Sequence, residues 1–258
     1  MELHSCILTK NDCYQRGVTI VPKGVMVHST GANNPWLKRY VQPDDGELGK
    51  NLYGNDWNRS GLDVCVHAFI GKKQDGGVAT YQTLPWNRRG WHAGGAANNT
   101  HISFEICEDG LTDRNYFETV YREAAELTAY LCGLYGLDPL QDGVVICHAE
   151  GYRRGLASNH GDVEHWFPKF GKTMNDFRNQ VKQIMEGDEM SKEEIQALVD
   201  ARIKEILSGD KTVPSPWAKE ELGAAISDGI TDGSRPGGYA TREEAAVMVE
   251  RLYRKVKP

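Results

Sequence analysis

The chain contains 258 residues, of which 40% are hydrophobic and 26% are charged, the usual composition of a globular protein with a buried core. Its 30 lysine and arginine residues are outnumbered by 36 aspartate and glutamate residues, and a net charge of −6 argues against a general nucleic-acid-binding protein. No apolar run approaches the roughly 18 residues of a membrane span, and the opening stretch MELHSCILTKNDCYQRG lacks the apolar centre of a secretory signal peptide. We therefore expect a protein made in the cytoplasm, with no membrane span and no nucleic-acid partner.

The six cysteines are expected to be reduced. None of them forms a C-x-x-C pair, and four lie in apolar runs such as VVIC and SFEIC, where a free thiol behaves as a small hydrophobic side chain. A disulfide framework is the alternative, but a chain of this length can build a core without one. The cysteine pattern therefore favours folding in a reducing compartment.

Apolar, β-rich segments alternate with helical patterns in the first part of the chain. The longest predicted helix has apolar residues at helical spacing and is followed by Gly136 as a stop signal. Several predicted strands are apolar at nearly every position, as in strands that are covered on both faces. This order predicts an α/β fold with a central mixed β-sheet flanked by helices. The predicted strands cover 24–30, 63–70, 78–84, 101–107 and 144–150, and the helices cover 116–135 and 174–185.

The last third of the chain differs in composition. It begins with a polar stretch without aromatic residues, in which a helix is predicted over 191–207 from the capping-box pair Ser191 and Glu194. That helix is either a spacer or a weak self-association helix. Two short helical patterns follow around the turn DGSRPGGY and predict a small all-α domain. The predicted division is a first domain over 1–186, a linker over 187–213 and a second domain over 214–258.

Three histidines stand at or just beyond the ends of predicted strands. His28 follows VMV, His148 follows VIC, and His160 lies with Asp162 in the polar loop SNHGDVEHW. Taken singly, each histidine is as well explained by a structural role. Two imidazoles and one carboxylate, however, form a three-ligand zinc site with an open fourth position, which lowers the pKa of a bound water to about 7. The sequence therefore indicates a Zn²⁺ centre on His28, His148 and Asp162.

Glu105 is the candidate general base. It lies within the apolar run SFEI, and burying an unpaired carboxylate costs several kcal/mol. Partial burial would raise its pKa and suit it to taking a proton from an attacking water. A glutamate in a salt bridge at a strand edge is the alternative.

Four segments that carry these residues resemble the zinc-dependent N-acetylmuramoyl-L-alanine amidases of the type 2 amidase and peptidoglycan recognition protein family. The resemblance covers about 25–186. It implies that family's fold and a peptidoglycan hydrolase that cleaves the amide bond between N-acetylmuramic acid and L-alanine. The segments are VMVHSTG, DVCVHAFIGKKQDG, WNRRGWHAGGAANNTHISFEI and CHAEGYRRGLASNHGDVEHWFP.

The resemblance also implies a set of metal ligands. His28 and His148 would be two zinc ligands, and Asp162 would be the third because Phe167 lies five residues further on, as in the family's Asp-Pro-Gly-x-x-Phe pattern. His160 and His165 are the alternatives for the third ligand.

The remaining implied roles concern catalysis and substrate binding. Glu105 would act as general base and then as general acid, and His160 would stabilise the oxyanion, where many relatives have a lysine. Trp91, His92 and Asn98 would line a groove for the glycan and the stem peptide.

The C-terminal stretch from SPWAKEELGAAISDGITDG to TREEAAVMVERLYRKV resembles a single S-layer homology motif. Physically, Thr241 and Glu244 form a capping box at the start of its second helix. The resemblance implies binding of a secondary cell-wall polymer, with Arg242 as the anion-contacting residue. Because one copy has a small core, self-association into a homo-oligomer and a merely stabilising appendage are the alternatives.

Three functions remain open from the sequence. The first is the amidase, as a phage or prophage endolysin released through a holin-type pore or as a bacterial autolysin. The second is a non-catalytic peptidoglycan-binding module of the same fold, and the third is a zinc endopeptidase acting on peptidoglycan. The presence of both Asp162 and Glu105 favours the amidase, because non-catalytic relatives lose the third ligand.

Overall fold

The computed structural model describes residues 1–187, 196, 199–203, 213–238 and 240–257. The chain divides into a unit of Met1–Glu189 and a unit of Met190–Pro258. Each unit is described by itself below.

A six-stranded mixed sheet forms the centre of the first unit. The strands lie in the order β1-β4-β3-β5-β2-β6, and all neighbouring pairs are parallel except β3 and β4. The predicted mixed sheet is thereby confirmed. Its strands are β1 (Leu3–Ser5), β2 (Gly24–Ser29), β3 (Ala68–Lys72), β4 (Val78–Gln82), β5 (His101–Ile106) and β6 (Val145–Cys147).

Two long helices flank this sheet, as predicted. The carboxylate of Asp113 caps the longest helix by accepting the backbone N–H of Tyr116, and Gly136 ends it in the left-handed conformation at φ 63°. The helices of the first unit are α1 (Asp12–Gln15), α2 (Arg114–Tyr135), α3 (His148–Arg153) and α4 (Met174–Gly187).

The two faces of the sheet have different coverings. Alternate residues of the central strands, such as Val27 and Phe104, pack with buried side chains of α2 and α4 such as Phe117. The residues between them point the other way, because side chains alternate along a strand. On that second face Met26 packs against Ala93 and its surroundings, which belong to a loop. The second face is therefore the one on which loops can build a site.

The structure adds one strand to those predicted and moves the bounds of two others. The short edge strand β1 has only three residues and no apolar run, so it was not predicted. The strand expected over 63–70 begins at Ala68, because Cys65 makes only an isolated bridge with Trp91. The strand expected over 144–150 ends at Cys147, because His148 begins α3 and Glu150 supplies its capping contact.

The second unit contains α5 (Lys219–Ser227) and α6 (Arg242–Val256). The capping box predicted at the start of α6 is present, with the Glu244 N–H donating to Thr241 Oγ1 at 3.1 Å and the Thr241 N–H donating to a Glu244 carboxylate oxygen at 2.7 Å. Neither helix buries any residue. Of the helix predicted over 191–207, residues 196 and 199–203 are helical, and the remainder, including Ser191 and Glu194, lies outside the described residues. Within the described parts of both units, no helix is long and apolar enough to cross a bilayer.

Candidate metal centre and active-site pocket

Three neighbouring strands deliver the principal site residues to one end of the sheet. In the register of β2 and β5, His28 lies directly beside Glu105. Both residues belong to the face away from α2, because their neighbours Val27 and Phe104 pack into the helical core. On the other side of β2, β6 ends at Cys147 and His148 follows as the first residue of α3.

Asp162 reaches the same point from the loop that follows α3. Its carboxylate Oδ2 lies 3.1 Å from His28 Nδ1 and 3.7 Å from His148 Nδ1, and the two Nδ1 atoms are 3.1 Å apart. The backbone N–H of Ala149 donates to the Asp162 carbonyl at 3.2 Å, which ties the loop to the start of α3. One atom from each of the three residues thus converges within 4.8 Å, a group able to hold a metal ion.

The protonation states of this cluster suit a cation. Burial, together with the charge of His28, lowers the pKa of His148 to about 4, so its imidazole is neutral. Burial of Asp162 opposes ionisation, but the hydrogen bond from His28 and the nearby charges of both histidines bring the net pKa of that carboxyl below its usual value. A neutral imidazole and an ionised carboxylate are the forms that bind metal.

A cavity of about 600 Å³ opens over the cluster. Trp57 and Val66 contribute apolar wall, and Ser29 contributes a buried hydroxyl without a partner. Glu105 also lines the cavity, and its Oε2 atom is buried without a hydrogen-bond partner. Burial, and secondarily the charge of Asp162, raises the pKa of Glu105 well above its usual value. A protonatable carboxyl therefore stands beside the candidate metal ligands.

The two alternatives for the third ligand lie outside the cluster. The ring of His160 stands 4.6 Å from the ring of His148, and Ser158 Oγ lies between them at 3.1 Å from His160 Nδ1 and 3.3 Å from His148 Nε2. His165 lines the cavity, but its Nε2 is 2.9 Å from the buried carboxylate of Glu108. Of these three candidates for the third ligand, Asp162 is the one that has a side-chain oxygen within 4.8 Å of the ring nitrogens of His28 and His148.

Of the three predicted substrate-contact residues, Trp91 and His92 line the cavity and Asn98 does not. Trp91 is 39% exposed at the cavity and has the Arg89 guanidinium 4.8 Å from its ring centre. His92 also lines the cavity, but its Nδ1 lies 3.0 Å from His28 Nε2, and burial lowers the pKa of His92 well below the ordinary value. Asn98 is fully buried, and its Oδ1 accepts the backbone N–H groups of His92 and Ala93. Asn98 was expected to contact substrate. In the structure its side chain instead supports the backbone of the loop that carries His92 and Ala93.

Sequence reasoning missed Ser158. Its environment depends on Gly94, which has φ 62° and approaches so closely that a Cβ there would lie 2.7 Å from Ser158 Oγ. The available signal was the glycine pair after WHA, which marks a close approach of two backbone segments. The sequence does not indicate that the segment approaching this glycine pair is the one that contains Ser158.

The second unit has a cavity of its own, of about 420 Å³. Arg235 and Arg251 line it, and Arg235 is paired with Glu244. Arg242, the predicted anion-contacting residue, is exposed on the first turn of α6 and lies outside this lining.

Comparisons with known proteins agree with this fold. No curated protein matches the sequence. The structure of Staphylococcus aureus hydrolase AmiA in complex with its ligand is 21% identical, with a TM-score of 0.50 over 71% of this chain and 82% of that chain. The PlyG catalytic domain is 19% identical, with a TM-score of 0.51 over 71% and 94% of the two chains. A mutant of PlyL is 20% identical, with a TM-score of 0.50 over 70% and 99%.

The family comparison covers the centre described above. The family model for N-acetylmuramoyl-L-alanine amidases matches residues 18–165. This match includes all three candidate metal ligands and Glu105. Because it spans more than half of the 258 residues, the chain belongs to the N-acetylmuramoyl-L-alanine amidase family.

Proposed function

We propose that this peptidoglycan amidase works at the cluster of His28, His148 and Asp162, and that the cluster binds Zn²⁺. The single observation that supports the site most strongly is the convergence of two imidazole nitrogens and one carboxylate oxygen within 4.8 Å beneath an open cavity. The bond to be cleaved is the amide between the lactyl group of N-acetylmuramic acid and L-alanine.

The donor set fits zinc better than the hard cations. Zn²⁺ accepts two imidazoles and one carboxylate and leaves a fourth position open, whereas Mg²⁺ and Ca²⁺ require mostly oxygen ligands. When bound, the ion would supply Lewis acidity to the substrate carbonyl and to water. His28 is 1% exposed and His148 is 4% exposed, so the surrounding side chains restrict the movement of both imidazoles.

Glu105 would move the proton. Its Oε2 atom has no partner, and burial has already raised the pKa of this carboxyl. Such a group can take a proton from the attacking water and return it to the amine of the departing L-alanine. A general base of this kind contributes roughly 10²–10⁴-fold to the rate.

His160 would stabilise the charge that develops on the carbonyl oxygen. Its Nδ1 lies 3.1 Å from Ser158 Oγ, and a protonated ring, or a neutral ring with its proton on Nε2, would donate to the substrate from Nε2. A donor directed at a developing oxyanion contributes about 3 kcal/mol in comparable sites. Trp91, exposed at the rim, offers a flat apolar surface to a sugar ring or to the lactyl group.

Metal and product analysis test this function together. We expect purified protein to contain about one Zn²⁺ per chain, and His28→Ala and His148→Ala to lose both the ion and wall hydrolysis. His4→Ala changes a histidine of strand β1 and serves as the control. Digested peptidoglycan should show new N-terminal alanine. Any other new amine would identify an endopeptidase, and binding without a product would identify a non-catalytic module.

We further propose an endolysin role, in which the protein is made in the cytoplasm and reaches the wall through a holin-type pore. The six free thiols, five of them buried, support folding in a reducing compartment. Expression in a sensitive host should lyse the cells only when a pore-forming protein is expressed with it. Lysis without the pore would point to an autolysin with its own route to the wall.

For the second unit we propose binding to a secondary cell-wall polymer. The exposed arginine at the start of α6, Arg242, supports an anionic ligand. Arg242→Ala in the full chain should weaken sedimentation with whole walls. We also propose self-association through this unit, because its described helices α5 and α6 bury no residue and α6 exposes apolar side chains such as Val249 and Tyr253. Sedimentation analysis of the full chain would show a monomer if that proposal is wrong.

A further inference from the structure

Each of the two imidazoles in the cluster has a second partner on its far side. His28 directs Nδ1 into the cluster and has Nε2 at 3.0 Å from His92 Nδ1. His148 also directs Nδ1 into the cluster and has Nε2 at 3.3 Å from Ser158 Oγ. The same arrangement is thus built twice, once from residues 64 positions apart and once from residues 10 positions apart.

The direction of these hydrogen bonds follows from the chemistry of imidazole. A neutral histidine that offers the lone pair of Nδ1 to a metal carries its proton on Nε2. That N–H needs an acceptor, and His92 Nδ1 and Ser158 Oγ are the atoms within reach. With the acceptors in place, each ring is fixed in both its orientation and its tautomer.

The loops that carry the two acceptors are linked by hydrogen bonds. Asn98 Oδ1 accepts the N–H groups of His92 and Ala93 at 2.9 and 2.8 Å. The N–H of Ser158 donates to the Ala93 carbonyl at 2.8 Å. Gly94 permits this approach, because a side chain there would collide with Ser158 Oγ. The loop that carries His92 therefore also sets the position of Ser158.

We propose that His92 and Ser158 are positioning residues, which hold His28 and His148 in the ring orientation and Nε2–H tautomer required for metal binding. The inference depends on the proposed metal site, and it assigns His92 to the support of a ligand rather than to contact with substrate. Loss of such a hydrogen bond to a ligand histidine costs about 10–100-fold in metal affinity.

Variants that remove or keep the acceptor test this proposal. In the full chain, His92→Leu and Ser158→Ala remove it, whereas His92→Asn keeps an acceptor near the Nδ1 position and Ser158→Thr keeps the hydroxyl. Zn²⁺ affinity is measured by competition with a chromophoric chelator, and ligand geometry by the visible spectrum of the Co²⁺-loaded protein. We expect affinity to fall about 10–100-fold in the first pair, with altered Co²⁺ bands, and to recover in the second pair.

Two matched controls separate positioning from general loss of stability. His101→Leu removes a buried histidine bonded to the Gly143 carbonyl, and Ser103→Ala removes a buried hydroxyl bonded to His67. Both should melt at lower temperature than the unsubstituted protein and keep its Zn²⁺ affinity.

Three results would overturn the inference. The first is unchanged affinity in Ser158→Ala, which removes a single oxygen atom and carries the test even where His92→Leu fails to fold. The second is an equal loss of affinity in the controls. The third is an unsubstituted protein that binds no Zn²⁺, which overturns the proposed function as well. The first two results leave that function standing.

Discussion

Two histidines on the same face of the sheet show how differently this chain uses imidazole. His67 is completely buried, donates from Nε2 to the Arg88 carbonyl at 2.6 Å and accepts the Ser103 N–H at Nδ1 at 3.0 Å. Its hydrogen bonds are thus complete within the chain. His28, in contrast, turns Nδ1 toward a second imidazole nitrogen and a carboxylate oxygen. Three atoms that can act as metal ligands gather there, which favours a cation as their common partner.

His67 should make the fold sensitive to acid. Burial lowers the pKa of His67 to about 4, compared with 6.5 in an unfolded chain. Between pH 6.5 and 4 this histidine is protonated in the unfolded chain but neutral in the folded chain. The free energy of unfolding is therefore full above pH 6.5 and decreases as the pH falls toward 4. The loss amounts to about 3 kcal/mol at 1.36 kcal/mol per pKa unit. Denaturant unfolding of the metal-free protein at several pH values should show a flatter dependence in His67→Gln. An unchanged dependence would mean that His67 does not carry this sensitivity.

Glu105→Gln should lower the rate of hydrolysis without lowering the zinc content. The amide keeps the size of the side chain but cannot take a proton, so we expect hydrolysis to fall about 10²–10⁴-fold. Because Glu105 is not among the three clustered ligand residues, zinc content should stay at the level of the unsubstituted protein. Glu118→Gln, an exposed change on α2, is the matched control for both measurements. A Glu105→Gln variant with full activity would remove this residue from the mechanism.

The sequence predicted residues on strands better than residues in loops. Alternation along a strand places His28 and Glu105 on one face once the sheet is assumed, and the register places them side by side. The position of Asp162 depends on a loop whose path no periodic pattern describes. Ser158 and the support from Asn98 depend on a contact between two loops, and such contacts leave no spacing signal in the sequence.

At the scale of elements, α2 and α4 form the platform that keeps the central strands in place. Buried side chains of both helices contact the core residues of β2 and β5. A salt bridge from Arg178 of α4 to Glu150 of α3, at 3.0 Å, links this platform to the helix that begins at His148. The long apolar helices were predictable because many residues share the pattern. The three-residue strand β1 and the exact start of β3 were not, because tertiary pairing decides such short elements.

Leu127→Ala in α2 should destabilise the first unit strongly. Leu127 is fully buried in the helical core, and truncation of a buried leucine costs about 2–5 kcal/mol through lost burial and the cavity left behind. Leu134→Ala makes the same change on the same helix at a side chain that is 51% exposed, and it should cost less than about 1 kcal/mol. Chemical denaturation measures both. Equal costs at the two positions would contradict the placement of α2 against the sheet.

At the scale of the whole molecule, every candidate catalytic and metal-binding residue lies within Met1–Glu189. The same unit contains the central sheet and the hydrophobic core that packs on it. In the described part of the second unit, α5 and α6 bury no residue. The first unit therefore has a core of its own, whereas α5 and α6 of the second unit present exposed and half-buried side chains.

This difference predicts the result of removing the second unit. A chain ending at Gly187 keeps all of α4, whose Phe177 and Val181 complete the core, so it should fold and hydrolyse purified, soluble peptidoglycan fragments at close to the full rate. On whole walls it should bind more weakly, because the exposed arginine and apolar side chains of α6 are gone. Arg242→Ala in the full chain is the matched comparison, since it removes one charge and leaves the helices in place. If the truncated protein attached to walls as firmly as the full chain, the second unit would not be an anchor. If it lost activity on soluble fragments as well, the second unit would contribute to catalysis or to the stability of the first.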